Sequence, residues 1–389
     1  MAVSKKNKHK PGIKKMDMLS EVKLSYDLTA IGMCNNELSS FNKFAICCEF
    51  QDSAVLEDME IAWAAEDYTD TQKAQEVIHT CLQDWLFAQG HANTQFRKEL
   101  LTFVNKAVWL DVNELYKNEY LQTIKLDGRY TSGNAVLELD SLSKFSVVEV
   151  PIESDYAGLE KPSIPTPGVL SAEFKFPRLS ADDRTWMTIT PSEMLTMAKA
   201  IKAMHGNICC FGLGLGYFAF MAGLRDEVTS ITIVENNQNV IDLFTKYLLP
   251  QFPCKDKIKI IKVNAFEYMQ GLSDTLFDCI FVDIWHDAND IEDYVKSRKL
   301  LAQLKKTDVH YWIEQEMLAR LQYSATLGMC ERVMLKYAKD AAVKMPTWNS
   351  DFMHDWGMKY SASVKFTSKR DVLDFLSLTK IRKAVITQD

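Results

Sequence analysis

The sequence predicts an α/β protein: a doubly wound parallel sheet, preceded by a helical N-terminal segment and a small β region. Three observations carry that reading. Strand-like and helix-like runs alternate from Asn207 to Asp283, the pattern of parallel strands joined by crossover helices. The first strand, Asn207 to Phe211, runs into Gly212-Leu-Gly-Leu-Gly216, with a glycine at every second position. Glycines there permit a tight turn and remove the Cβ atoms that would hold a ligand off the main chain. Successive strands then end in Glu235, Asn264 and Asp283, and ligands of open α/β sheets bind at the carboxyl ends of the strands.

A chain of 389 residues suits two or three domains, and 47% hydrophobic residues can bury a sizeable core. The boundaries read as a basic tail (1–16), a helical domain (17–122), a small β region with linker (123–180), and the sheet with a helical C-terminal part (181–389). The formal net charge of -7 speaks against a nucleic-acid surface. No run of 18 apolar residues predicts a membrane span, and the first residues lack the apolar core of a signal peptide. Nine cysteines are scattered without CxxC or zinc spacing, so no metal site is expected and a reducing cytoplasm is the expected compartment.

In chain order, Met1 to Lys15 carries six lysines and a Pro11-Gly12 breaker. It reads as a disordered tail, solubilising or in contact with an anionic surface. Asp17 to Ala30 and Ala54 to Tyr120 read mainly as helices. Ile61, Ala65, Val77, Ile78, Leu82, Leu86 and Phe87, and then Phe96, Leu100, Phe103, Val104 and Val108, fall largely at helical spacing. Trp63, Trp85 and Trp109 anchor that core, while His79 and His91 read as surface or packing residues. Val136 to Leu139 and Phe145 to Ile152 are β-like, and Lys161 to Gly168 is a proline-rich breaker. Thr190-Pro-Ser-Glu193 reads as a capping box that opens a helix, with Trp186, Thr188 and Thr190 as pocket-lining candidates. Tyr217 to Gly223 and Gln238 to Leu249 are the crossover helices, and the amides that open the first face the glycine turn. Val309 to Ile313 is a fifth strand, and Glu316 to Ala341 a long helix. A strand at Ala362 to Phe366 and a helix at Asp371 to Leu378 complete the chain. No antiparallel strand pair closes the sheet.

Glu235 lies 19 residues after Gly216, near the spacing of a ribose-binding acid. In order, the glycine loop, strand-Glu235, Asn264-Ala-Phe266 and Phe277-Asp-Cys-Ile-Phe-Val-Asp283 resemble class I S-adenosylmethionine-dependent methyltransferases. They look most like the spermidine-synthase-like branch of that Rossmann-like fold. The resemblance runs from about Trp186 to Asp290. It implies S-adenosylmethionine as cofactor, with Phe211, Gly212, Leu213, Gly214 and Gly216 at its methionine and ribose part. Glu235 and Asn236 would hold the ribose, Asn264 the adenine amino group, and Ala265 and Phe266 the ring. Asp283 would orient the cofactor or an acceptor amine. Many such enzymes carry an acid two residues before the first glycine, where this chain has Cys210.

The stretch Asp283-Ile-Trp-His-Asp287 is the reaction edge in this reading. His286 is either a base near neutral pH or an exposed residue before the cap of the next helix. Aminopropyltransferases carry a second Asp three residues after the strand-end Asp, and then a proline. Here His286 stands in that place and Asp287 follows without a proline, so methyl transfer to a small molecule ranks above aminopropyl transfer. A non-catalytic S-adenosylmethionine-binding scaffold is the reading from a different class. The sequence leaves room for a homodimer.

Overall fold

The computed structural model of the chain describes residues 16–47, 53–88, 96–151, 159, 164–337 and 350–388. The basic tail, His91, the opening of the 161–168 proline cluster and the end of the helix expected to reach Ala341 lie outside those residues. The described residues fall into two compact units, 33–151 with 164–317, and 16–32 with 159 and 318–388.

Twelve strands are found among the described residues. They are β1 (Val108–Leu110), β2 (Tyr130–Ser132), β3 (Ala135–Leu142), β4 (Val147–Val150), β5 (Thr166–Leu170), β6 (Phe174–Ala181), β7 (Arg184–Thr188), β8 (Gly206–Phe211), β9 (Val228–Glu235), β10 (Ile258–Lys262), β11 (Cys279–Val282) and β12 (Asp308–Tyr311). All belong to the larger unit.

The sheet that organises this unit has the order β10-β9-β8-β11-β12, and every pair in it is parallel. The chain enters at the centre, builds outward through β9 and β10, then crosses back to lay β11 and β12 on the other side. The switch point between β8 and β11 opens a crevice at the carboxyl ends of the strands. Cys279 to Val282 are all buried, as are Ile208 to Phe211. Such unbroken apolar runs mark strands covered on both faces. Each large apolar side chain so buried contributes about 1.5–3 kcal/mol. Among the described residues the sheet ends at β12.

Two smaller sheets precede it. The antiparallel sheet β2-β3-β6-β7 is held by eight-residue pairing of Ala135–Leu142 with Phe174–Ala181. Arg178 on β6 joins Glu138 and Asp140 across that pairing. The sheet β1-β5-β4 lies against the helices Asp70–Ala88 and Arg97–Asn105. Trp63 and Trp85 are buried there, and Trp63 meets Trp109 edge to face at 6.1 Å, so the tryptophans do anchor this core. His79 is exposed.

Three local expectations need correction. Val108 belongs to a strand rather than to the helix that ends at Asn105, because Val108–Leu110 finds a parallel partner in Gly168–Leu170. The helix from Gln238 is α-helical only to Leu243. A π turn, Phe244–Leu248, and a 3-10 turn, Leu249–Gln251, follow it; the π turn leaves Phe244 buried edge to face on Phe252 at 5.2 Å. Ala362 to Phe366 forms no strand: Ala362 N donates to Met358 O and Val364 N to Ser361 O as turns, and the Phe366 carbonyl oxygen accepts from Met16 N at 2.8 Å without a ladder forming.

In the smaller unit, Glu21 is 1% exposed and accepts from Lys336 Nζ and Tyr337 Oη at 2.8 Å each. The helices Glu314–Tyr337 and Asp351–Ser361 cross with Gly328 against Gly357. A Cβ at Gly328 would lie 2.5 Å from the Gly357 carbonyl oxygen, so this crossing requires glycine.

Candidate functional site

A cavity of about 390 Å³ opens at the carboxyl ends of the parallel strands. Gly212, Leu213, Gly214, Glu235, Asn236, Asn264, Ala265, Phe266 and Asp283 all line it. Phe211, Gly216 and His286, also singled out from the sequence, do not. Side chains alternate along a strand. Cys210 therefore faces the cavity, while Phe211 is fully buried against Tyr268 on the other face. Gly216 packs against Phe244 and Phe252 instead.

The glycine loop is shaped by what surrounds it. Gly212 has φ +94°, and a Cβ there would lie 2.0 Å from the Asp283 carbonyl oxygen. The loop is therefore pressed against the end of β11, and only glycine meets both demands. The Leu213 N–H donates to Glu235 Oε2 at 3.1 Å, and the N–H groups of Asn236 and Asn237 donate to Oε1 at 2.7 Å each. Glu235 thus ties the tip of β9 to the loop after β8. A carboxylate offers about four acceptor positions, so one remains for a ligand.

Asn264 caps the helix Ala265–Gln270. Its Oδ1 accepts from Phe266 N at 2.9 Å and Glu267 N at 3.3 Å. The expected acceptance of an adenine amino group by this oxygen is therefore corrected: its lone pairs serve the helix, and the side-chain NH2 is the group left to offer. Phe266 is half-buried and lines the cavity rather than the core, with Lys296 Nζ 3.8 Å from its ring centroid.

At the other end of the cavity stands a pair of acids. Asp283 follows β11, and burial pushes its carboxyl up to about 7. Glu193 lies in the first turn of the helix Pro191–Ala203. Burial pushes its carboxyl up to about 8, opposed by hydrogen bonds from Thr188 and reinforced by the charge of Asp283. Thr188 Oγ1 donates to Glu193 Oε1 at 3.0 Å and Thr188 N to Oε2 at 3.2 Å. The capping box is thus corrected as well. Thr190 makes no side-chain cap bond, and Glu193 reaches back past it to the end of β7.

Sequence reasoning read Glu193 as a helix cap and missed it as a cavity residue. It also missed Met187, Met197 and Trp312. Trp312 follows β12 directly, so the strand-end rule applied to the fifth strand points to it; its Nε1 donates to Thr196 Oγ1 at 2.9 Å. Of the three candidates ahead of the helix, Trp186 lines the cavity, while Thr188 and Thr190 do not. His286 turns its Nε2–H to the Thr185 carbonyl oxygen at 2.7 Å, and Trp285 lines the cavity in its stead.

The lining residues described include three carboxyl groups, Glu193, Glu235 and Asp283, and no Lys, Arg or His. Trp186, Trp285, Trp312, Phe218, Phe266 and Phe281 supply aromatic walls. Such a cavity can hold a proton near neutral pH, favour a cationic ligand and repel a polyanionic one.

No family model matches the chain, and no curated protein matches its sequence. Among solved structures it is similar to the spermidine synthase from Thermotoga maritima. Identity there is 16% and the TM-score 0.30, over 42% of this chain and 60% of that one. A provisionally assigned O-methyltransferase from Klebsiella pneumoniae is similar at 15% identity and TM-score 0.25, over 32% of this chain and 54% of that one. A provisionally assigned spermidine synthase from Corynebacterium glutamicum is similar at 14% identity and TM-score 0.33, over 65% and 94%. The chain thus spans 60% or less of the length of the first two. The fold assignment itself rests on the strand order and the glycine-loop geometry.

Proposed function

We propose that the protein is an S-adenosylmethionine-dependent transferase that moves the methyl group to a small acceptor. The supporting observation is one cavity that holds the glycine loop, the β9 carboxylate and an acid pair, with no cationic side chain in its lining. A dinucleotide would bring its pyrophosphate against three carboxyl groups, which costs free energy. A sulfonium nucleoside with an alkylammonium tail suits the same charges.

The donor set fits that cofactor residue by residue. Glu235 has an acceptor position left for a ribose hydroxyl. The NH2 of Asn264 suits a ring nitrogen of adenine, and Phe266 offers a face for the ring. Glu193 and Asp283 suit the cationic end. When bound, the cofactor supplies an activated methyl group for in-line displacement. The protein orients the acceptor against it, excludes water with aromatic walls and takes a proton. Asp283 is suited to that last task, because a base works best when its pKa lies near the working pH.

Aminopropyl transfer is a second reading, and one observation favours it. The lining offers no cationic side chain for a cofactor carboxylate, which decarboxylated S-adenosylmethionine lacks. Against it, no acid stands at position 286. Turnover assays with each cofactor decide. The methyl reading predicts label transfer from S-adenosylmethionine by wild type and at least a hundredfold loss in Asp283→Asn. Putrescine consumption with the decarboxylated cofactor alone would replace it with the second reading. Equal label transfer by wild type and Asp283→Asn would remove Asp283 from the chemistry.

A further inference from the structure

At the amino ends of the same strands, opposite the cavity, three side chains of different chemistry converge. His205 immediately precedes β8, Cys279 opens β11 and Asp308 opens β12. These strands are neighbours in the sheet, and Cys279 pairs directly with Asp308 and with Ile208. Side chains at paired positions of parallel strands share a face, so Cys279 and Asp308 stand side by side. His205 folds over from the turn, with Nδ1 3.2 Å from Cys279 Sγ. One donor atom from each of the three lies within 4.8 Å of the other two. Cys279 is fully buried, whereas His205 and Asp308 are exposed.

We propose that His205, Cys279 and Asp308 form a binding site for a divalent cation of the zinc type. Thiolate, imidazole and carboxylate together suit a borderline-soft ion. Magnesium and calcium prefer oxygen ligands alone. Three protein ligands leave a fourth tetrahedral position, which the exposure of His205 and Asp308 opens to water. The buried thiol makes the site selective, and the exposed pair gives the ion a path in. About 13 Å of strand separates Cys279 from Asp283, at roughly 3.3 Å per residue, so the site is distinct from the cavity. An ion held there ties together the starts of three adjacent strands of the central sheet. On binding, Cys279 Sγ bonds to the metal and its proton passes to solvent. No ligand spacing shows this in the sequence, because the three residues are brought together only by strand order.

Cobalt(II) is the probe, because thiolate ligation gives a charge-transfer band that oxygen and nitrogen ligands do not. Wild type is expected to bind one equivalent with that band. Cys279→Ser should lose the band, and His205→Ala and Asp308→Asn should weaken cobalt and zinc binding at least tenfold. The last two changes are at exposed positions, so folding is not at issue, and circular dichroism should match wild type. Zinc should raise the thermal midpoint of wild type and not that of His205→Ala. A missing thiolate band at excess cobalt, a band that persists in Cys279→Ser, or undiminished binding by His205→Ala and Asp308→Asn overturns the site.

Discussion

Replacing Asp283 by Asn should make the ligand-free protein more stable at high pH, although it removes a site residue. Burial raises this carboxyl from 3.8 to about 7. A raised acid binds more protons in the folded than in the unfolded chain, so stability falls as pH climbs from about 4 through the folded value. Three units at about 1.4 kcal/mol each set a ceiling of about 4 kcal/mol. Asp283 keeps one side open to the cavity, which screens part of that, so about 2 kcal/mol is expected. Glu193, raised to about 8 by burial with Asp283 adding to it, shifts the same way, and its window reaches one unit higher. Urea unfolding of wild type, Asp283→Asn and Glu193→Gln at pH 3.5 and pH 9 measures this. Both variants should gain about 2 kcal/mol over wild type at pH 9 and match it within about 0.5 kcal/mol at pH 3.5, below the unfolded value of either acid. Variants less stable than wild type at pH 9 would refute the burial argument for the pair.

The same geometry fixes three further outcomes. Gly212→Ala should abolish nucleoside binding or folding, because its Cβ would lie 2.0 Å from a backbone oxygen at φ +94°; soluble expression and calorimetry report which. Glu235→Ala should weaken S-adenosylmethionine binding by about 1–3 kcal/mol, the cost of losing a hydrogen-bonding partner for both ligand and loop; titration calorimetry measures it. Glu193→Gln should weaken S-adenosylhomocysteine about tenfold and 5′-methylthioadenosine less than twofold, since only the former carries an ammonium group. Equal losses would make Glu193 a structural residue.

What could be read from the sequence was local. The glycine turn, the helix Tyr217–Gly223 and the acids at the ends of β9 and β11 are each set by neighbouring residues, and each stands where the pattern placed it. What could not be read depends on distant partners. Val108–Leu110 becomes a strand because residues sixty positions later pair with it. His286 leaves the cavity because Thr185, on a strand a hundred residues earlier, accepts its ring N–H. Glu193 satisfied a cap pattern so well that the local rule concealed its place beside Asp283. Phe211 and Gly216 belong to the glycine-loop motif, yet the pleat and the packing of Phe244 turn them away from the ligand side.

The most direct test of the account is the structure of the protein crystallised with S-adenosylhomocysteine. The account predicts the ribose against Glu235, the adenine between Asn264 and Phe266, and the amino group between Glu193 and Asp283. A cavity that stays empty at millimolar ligand, or a nucleoside bound anywhere but at the ends of β8, β9 and β10, would contradict it.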